Sequence, residues 1–329
     1  MNRYKILIVD DEPDNLALLY RTLRNDYDIE KSTSPLEALE ILKHGNFHCI
    51  LSDHKMPEMD GVEFLKRTCA ISPDTMRLLV TAYTDAGILI DAINYAKIYR
   101  YIKKPYNPDE LKLTVKGALE YWQLKADNNS LINDLKELFS GTVTAIVEAL
   151  DAKDSYTLGR SRRVTFYSVK MAQALHLNEA NIGKIELAGL LHDIGMIGVS
   201  DDILLKVEKL TPEEYDAIKQ HVEYSVKILD DIKQLKDVIE IIKYHHEHFD
   251  GSGYPYGKKG EEIPIGSRIL AAADAFDSMV TPKTYRNQIT PREAIKKIKD
   301  LAGKQFDPAV ADIFEQILPS ALVELRSQK

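Results

Sequence analysis

Four histidines and two aspartates carry the most evident chemistry: His192-Asp193 in LLHDIG, His221, the pair His245-His246, and Asp274. Together they offer four neutral nitrogen ligands and two carboxylates. A catalytic zinc usually takes three protein ligands, so six suit two metal ions a few ångströms apart with a carboxylate between them. A second set is acidic: Asp10, Asp11 and Asp53, with Thr81 and Lys104 further along. Three carboxylates at one place repel one another unless a cation sits among them, and hard oxygen ligands favour magnesium. Such an ion draws a phosphoryl group onto Asp53 as the carboxylate nucleophile. Lys104 then neutralises the phosphate and Thr81 hydrogen-bonds to it.

These residues need elements to position them. Apolar runs at Lys5–Val9, Cys49–Leu51, Leu78–Val80 and Tyr99–Ile102 alternate with helical patterns at Leu16–Leu23, Pro35–Leu42 and Gly61–Arg67. That alternation implies a parallel sheet with helices on both faces, and function in such sheets gathers at the carboxyl ends of strands. Asp10, Asp11, Asp53, Thr81 and Lys104 all stand at such ends. From Glu110 to about Leu150 no proline occurs, and Tyr121, Leu124, Asn128, Leu131, Leu135, Leu138 and Thr142 form a heptad seam with an asparagine that fixes register. A connector over residues 123–142 that joins two copies in a parallel homodimer is the expectation. Beyond it the patterns are helical throughout. Thr211-Pro212 with Glu214, and Thr290-Pro291 with Glu293, are helix starts with capping boxes. Ile182, Ile185, Ala188 and Leu191 make an apolar helical face that ends at His192-Asp193. Gly195 then allows a tight exit that a β-carbon resists. An all-α domain with ligands projecting from several helices is expected.

Composition narrows the partners. The 329 residues make two domains likelier than one, and 44% hydrophobic with 29% charged residues is ordinary for a globular chain. A net charge of -8 argues against a nucleic-acid polymer. Cys49 and Cys69 are too few for a disulfide framework. No apolar run approaches the ~18 residues of a membrane span, and the opening MNRYKILIVDDE lacks the apolar core of a signal peptide. A cytoplasmic protein without membrane contact is expected.

ILIVDDE, LSDHKMPEMDG, VTA and YIKKP resemble the receiver domain of two-component response regulators, over about residues 3–122. The resemblance implies phosphorylation of Asp53 by a histidine kinase, reorientation of Thr81 and Tyr101 as the switch, and a cis bond before Pro105. ALDAKDSYTLG, LLHDIG, HHEHFDGSGYP, GEEIPIGSRILAAADAFD and QFDP resemble the HD-GYP family of HD metal-dependent phosphohydrolases, from about Ala149 to Phe314. This implies hydrolysis of cyclic di-GMP, to pGpG or GMP, with His192, Asp193, His221, His245, His246 and Asp274 as metal ligands and Asp193 bridging the ions. Catalysis then centres on Asp193 and His192, and the ligand mixture favours iron or manganese. The fold class is an α/β receiver (a doubly wound five-stranded parallel sheet, residues 1–122), the connector, and an all-α HD-GYP domain (143–329). Substrate contacts outside the metals are expected from Lys283 and Arg286 in TPKTYRNQ, with Asp277 nearby. Tyr254 either packs its loop or stacks on a guanine. The remaining histidines, His44, His48, His54, His176 and His248, are expected at the surface.

The chain departs from the HD-GYP pattern in three places. Arg160 stands where many relatives have histidine, and Tyr156 where some have glutamate. Those residues help hold a third metal in relatives that have one. Arginine offers no lone pair, so two ions are expected. Met196 replaces the lysine of HDIGK, and losing a charge-assisted contact costs roughly 1.5–3 kcal/mol. The loop LKVEKLT lacks the usual proline and glycine. These losses sustain an alternative: a weakly active or inactive domain that serves as a cyclic-dinucleotide sensor or protein-interaction module.

Overall fold

A strand covered on both faces is built mostly from apolar residues, and in the segments KILIV, CILSD and MRLLVT every residue but Lys5 is buried. In a computed structural model, which describes residues 3–82, 93–153, 159–204, 206, 208–282 and 288–327, the chain divides into two units at Lys136/Glu137. The first holds a parallel sheet of β1 (Lys5–Val9), β2 (Asp28–Ser32), β3 (Cys49–Asp53), β4 (Met76–Thr81) and β5 (Arg100–Lys103), in the order β2-β1-β3-β4-β5. Ile6, Ile8, Leu51, Leu78 and Val80 pack on one face, and Leu7, Val9, Ile50 and Leu79 on the other. Helices α1 (Pro13–Leu23), α2 (Pro35–His44) and α3 (Gly61–Ile71) come after the first three strands in turn. β2 is the strand that apolar runs do not reveal. Its sequence DIEKS is polar because it lies at the sheet edge and only Ser32 is buried.

Register then assembles the carboxyl edge. Val9 pairs with Ser52, Asp53 with Val80, and Thr81 with Lys103. Asp10, Asp53, Thr81 and Lys104 therefore fall side by side.

Helix α4 (Pro108–Lys153) is continuous over 46 residues. Leu111, Val115, Ala118 and Leu119 are buried in the core of the first unit, and Val143 in that of the second. Between them Leu124, Leu131, Leu135 and Leu138 are each more than 60% exposed.

The second unit is helical: α5 (Arg160–Ala174), α6 (Glu179–Leu191), α7 (Asp201–Leu204), α8 (Pro212–Lys219), α9 (His221–Leu229), α10 (Lys236–Lys243), α11 (Ile265–Val280), α12 (Pro291–Asp300) and α13 (Pro308–Ser327). Both expected capping boxes are present, at Thr211/Glu214 and Thr290/Glu293. Ile182, Ile185, Ala188 and Leu191 are buried as their spacing requires. The core centres on Phe276, whose ring meets Tyr167 and Phe314 edge-on at 5.1 and 5.0 Å. Among the described residues, no helix is long and apolar enough to cross a membrane.

Candidate functional site

At the sheet edge, Lys104 Nζ lies 2.5 Å from Asp53 Oδ1 and 3.2 Å from Asp10 Oδ2. Burial works to lower the pKa of this ammonium, but the two aspartates outweigh it and hold the pKa above the ordinary lysine value. Asp53 Oδ2 accepts the backbone N–H of Lys55, and Asp10 Oδ1 accepts those of Glu12 and the Asn15 side chain. Asp11 stands next at the strand end, half-buried. Thr81 is buried, with its hydroxyl 3.1 Å from Nδ1 of His54, a residue expected at the surface. Tyr101 is exposed on β5, and the Lys104–Pro105 bond is cis. His48 is likewise no bare surface residue: its Nδ1 accepts the N–H of Lys5 and its ring packs edge-on against Trp122.

In the helical unit the six expected ligands converge as two groups, His221/His245/His246 and His192/Asp193/Asp274, each with its ligand atoms within 4.8 Å of one another. His192 and Asp193 come directly after α6, in a turn leading into the 3-10 segment Ile194–Gly198. His221 starts α9, His245 and His246 lie just beyond α10, and Asp274 lies within α11. The two groups meet at Asp193. Its Oδ2 is 3.2 Å from His192 Nε2, and its Oδ1 is 3.6 Å from His221 Nε2.

Three histidines are oriented by one device. Nδ1 of His192, His221 and His245 donates to the carbonyl three residues earlier, of Gly189, Ile218 and Ile242, at 2.6–2.8 Å. Each Nε2 is then the lone-pair nitrogen. All three Nε2 atoms are buried without a hydrogen-bond partner. Native proteins rarely leave buried polar atoms unpaired unless an ion or water serves them, and a metal-ligating histidine commonly has its other nitrogen fixed in this way. The residues fit a metal pair. The protonation states agree for His245, which burial and the fields of His192 and His221 push down to about 3, and for His246, which burial and His245 also lower. Both are neutral at physiological pH. His192 differs. Burial acts to lower its pKa, but Asp193 and Asp274 outweigh it and raise it to about 10. Asp193 and Asp274 remain ionised against the cost of burial, the first chiefly through His192 and the second chiefly through Arg160.

Arg160 opens α5 at the edge of this centre. Its Nη2 is 2.5 Å from Asp274 Oδ1 and its Nε 3.5 Å from Asp193 Oδ2. One turn later, Arg163 grips Asp277 with a two-pronged contact, Nε to Oδ1 at 2.7 Å and Nη2 to Oδ2 at 3.0 Å. Asp277, expected near substrate, is held by Arg163 in this structure. It is 1% exposed, and both its oxygens are committed to Arg163. Spacing held the clue, since Arg160/Arg163 and Asp274/Asp277 each stand three apart on one helix face.

Tyr254 is partly buried and stacks on His246, with ring centroids 4.8 Å apart and planes 26° from parallel. Burial raises its hydroxyl pKa well above the ordinary value. Lys283 and Arg286 lie outside the described residues. Two positioning residues escaped the sequence reading. Glu247 is buried, and its Oε1 accepts the N–H groups of Tyr256 and Gly257, shaping the loop after the histidine pair. Ser225 accepts from Gly195 N at 2.8 Å and donates to His192 O at 3.0 Å. Gly195 is needed for a reason other than backbone freedom. Its φ lies outside the left-handed region, but a β-carbon would sit 1.9 Å from the His221 carbonyl oxygen.

Family models match the response regulator receiver domain over residues 6–116 and the HD domain over residues 144–310. A "Cyclic di-GMP phosphodiesterase" of Thermotoga maritima is 33% identical, over 94% of this chain and 89% of its own. The "Cyclic di-GMP phosphodiesterase response regulator RpfG" of Xanthomonas campestris pv. campestris is 30% identical, over 93% of this chain and 86% of its own. A solved receiver domain of an HD domain-containing protein from Pseudomonas fluorescens Pf-5 is 31% identical, over 39% of this chain and 94% of its own, with a TM-score of 0.38.

Removing one partner of a buried ion pair strands the other charge, at a cost of about 3–5 kcal/mol. Arg163 keeps some solvent contact, so Asp277→Asn is expected at the lower end of that range. The measurement is chemical denaturation of the full chain beside the apparent KM. A large KM rise at unchanged stability would return Asp277 to the substrate site.

Proposed function

The chain belongs to the response regulators that join a receiver domain to an HD domain of the HD-GYP, cyclic di-GMP phosphodiesterase type, and on that premise we propose that its output is hydrolysis of cyclic di-GMP at a two-ion centre held by His192, Asp193, His221, His245, His246 and Asp274. The observation that carries this reading is Asp193, whose two carboxylate oxygens face different ligand groups. Divalent ions held there, iron or manganese by the donor set, supply positive charge to a phosphodiester and acidify water. The chain's part is to hold the donors in place. The backbone carbonyls of Gly189, Ile218 and Ile242 fix three imidazoles with Nε2 inward. Asp193 would be the ligand common to both ions and would position a water for attack, while His192 would only ligate. The products are pGpG or GMP, and the reaction takes place in the cytoplasm.

Asp193→Ala removes a shared ligand and a negative charge together. Cyclic di-GMP turnover by purified, metal-loaded protein is expected to vanish and metal content to fall. Wild-type turnover by this variant would overturn the two-ion reading. The grip of Arg160 on Asp274 and the methionine at position 196 favour a second reading, a domain that binds the dinucleotide without turning it over. Met196→Lys is expected to raise turnover by about tenfold, the worth of one charge-assisted hydrogen bond of about 1.4 kcal/mol realised in the transition state. If wild type and Met196→Lys both bind cyclic di-GMP and both leave it intact, the sensor reading replaces the enzyme.

Control of that output is assigned to Asp53, phosphorylated from a histidine kinase with magnesium held by Asp10, Asp11 and Asp53. Lys104 already spans Asp10 and Asp53, so it is placed to pair with the added phosphate. Thr81 and Tyr101 report the change. Incubation with acetyl phosphate and magnesium is expected to give a labile acyl phosphate in wild type and none in Asp53→Asn. Equal labelling of the two would move the phosphoacceptor elsewhere.

The exposed row Leu124, Leu131, Leu135 and Leu138 on α4 supports a parallel homodimer, since a solvated leucine stripe at heptad spacing is the face a second copy covers. Light scattering at micromolar concentration is expected to give twice the 37.3 kDa chain mass, and Leu131→Asp with Leu135→Asp to give the monomer. A wild-type monomer, phosphorylated or not, would remove the dimer.

A further inference from the structure

Two arginines on α5 face two aspartates on α11, and the pairs are not alike. Arg163 and Asp277 satisfy one another through two bonds. Arg160 meets Asp274 through a single nitrogen and stands 3.5 Å from Asp193, with its Nε buried and lacking a hydrogen-bond partner. The guanidinium therefore sits against both carboxylates of the group His192/Asp193/Asp274. The other group, His221/His245/His246, contains no carboxylate with which an arginine can pair.

We propose that Arg160 is a resident cation of the centre and makes its two halves unequal, so that the imidazole group takes its ion first and the group holding both aspartates takes its ion second, in competition with the guanidinium. The inference rests on the two-ion reading. Arginine stays charged at all physiological pH values, so the competition is permanent. An ion entering the second group must take a carboxylate oxygen from a charged donor and share the space with a like charge. A hydrogen bond to a charged group is worth about ten- to a hundredfold in an equilibrium constant, which sets the expected weakening. Arg160 thus also keeps Asp193 and Asp274 compensated while no ion is bound.

The test is calorimetric titration of metal-free, full-length protein with manganese(II). Wild type is expected to bind two ions per chain in two steps separated by at least about tenfold. Arg160→Gln is expected to tighten the weaker step by about ten- to a hundredfold and to leave the tighter step within about threefold. Arg160→Lys, which keeps the charge, is expected to stay near wild type. An arginine with only a structural role would shift both steps together, which overturns the inference, as would an unchanged weak step in Arg160→Gln. Circular dichroism establishes that each variant is folded; should Arg160→Gln fail that check, the separation of steps in wild type and its retention in Arg160→Lys still decide. Two ions bound by wild type with equal affinity sink this inference and leave the two-ion reading standing. No manganese bound at all sinks both.

Discussion

Everything in the helical unit's centre depends on one close contact, between the turn after α6 and the start of α9. Gly195 packs so tightly there that no β-carbon fits, and the hydroxyl of Ser225 ties the same turn from both sides, to Gly195 N and His192 O. The contact fixes His192 and Asp193 relative to His221 without using a single ligand atom. Asp193 can then address both ligand groups, because the backbone beneath it cannot drift. The repeated bond from Nδ1 to the carbonyl three residues earlier does the same for ring orientation. The centre is therefore assembled by folding, with the tautomer of three imidazoles decided by the main chain.

Assembling donors in advance has an electrostatic cost, and the arrangement of charges meets it locally. Asp193 and Asp274 are two buried or nearly buried carboxylates. Without cations they would repel one another and suffer desolvation. Arg160 supplies the positive charge beside them, with Nη2 on Asp274 and Nε near Asp193.

Much of this was legible in the sequence, and the exceptions share a physical cause. The convergence of the six histidines and aspartates was readable because such residues in apolar helical surroundings must find partners, and the two capping boxes because their signal is local. The polar edge strand β2 was not, since only Ser32 of it is fully buried and Ile29 is its one apolar residue, so the apolar rhythm is lost. The pairing of Asp277 escaped the sequence for a related reason. Its partner Arg163 is 114 residues away, and nothing local distinguishes a carboxylate that faces substrate from one locked to an arginine. Gly195 was recognised as necessary, but for a turn rather than for the neighbouring helix that leaves it no room. Local chemistry is written in consecutive residues; approach between elements is not.

Helix α4 sets a rule of phase on the chain. Each residue advances an α-helix by about 100° of rotation, whereas seven residues complete nearly two turns, falling about 20° short. One unbroken helix carries Leu119, buried near one end, the exposed leucine row, and the buried Val143 and Val147 beyond it. Losing or gaining a single residue between them would swing the leucine row a quarter-turn and more out of alignment with the buried positions. A change of seven would leave that alignment almost intact. For the leucine row, the heptad rather than the single residue is the step that keeps its face.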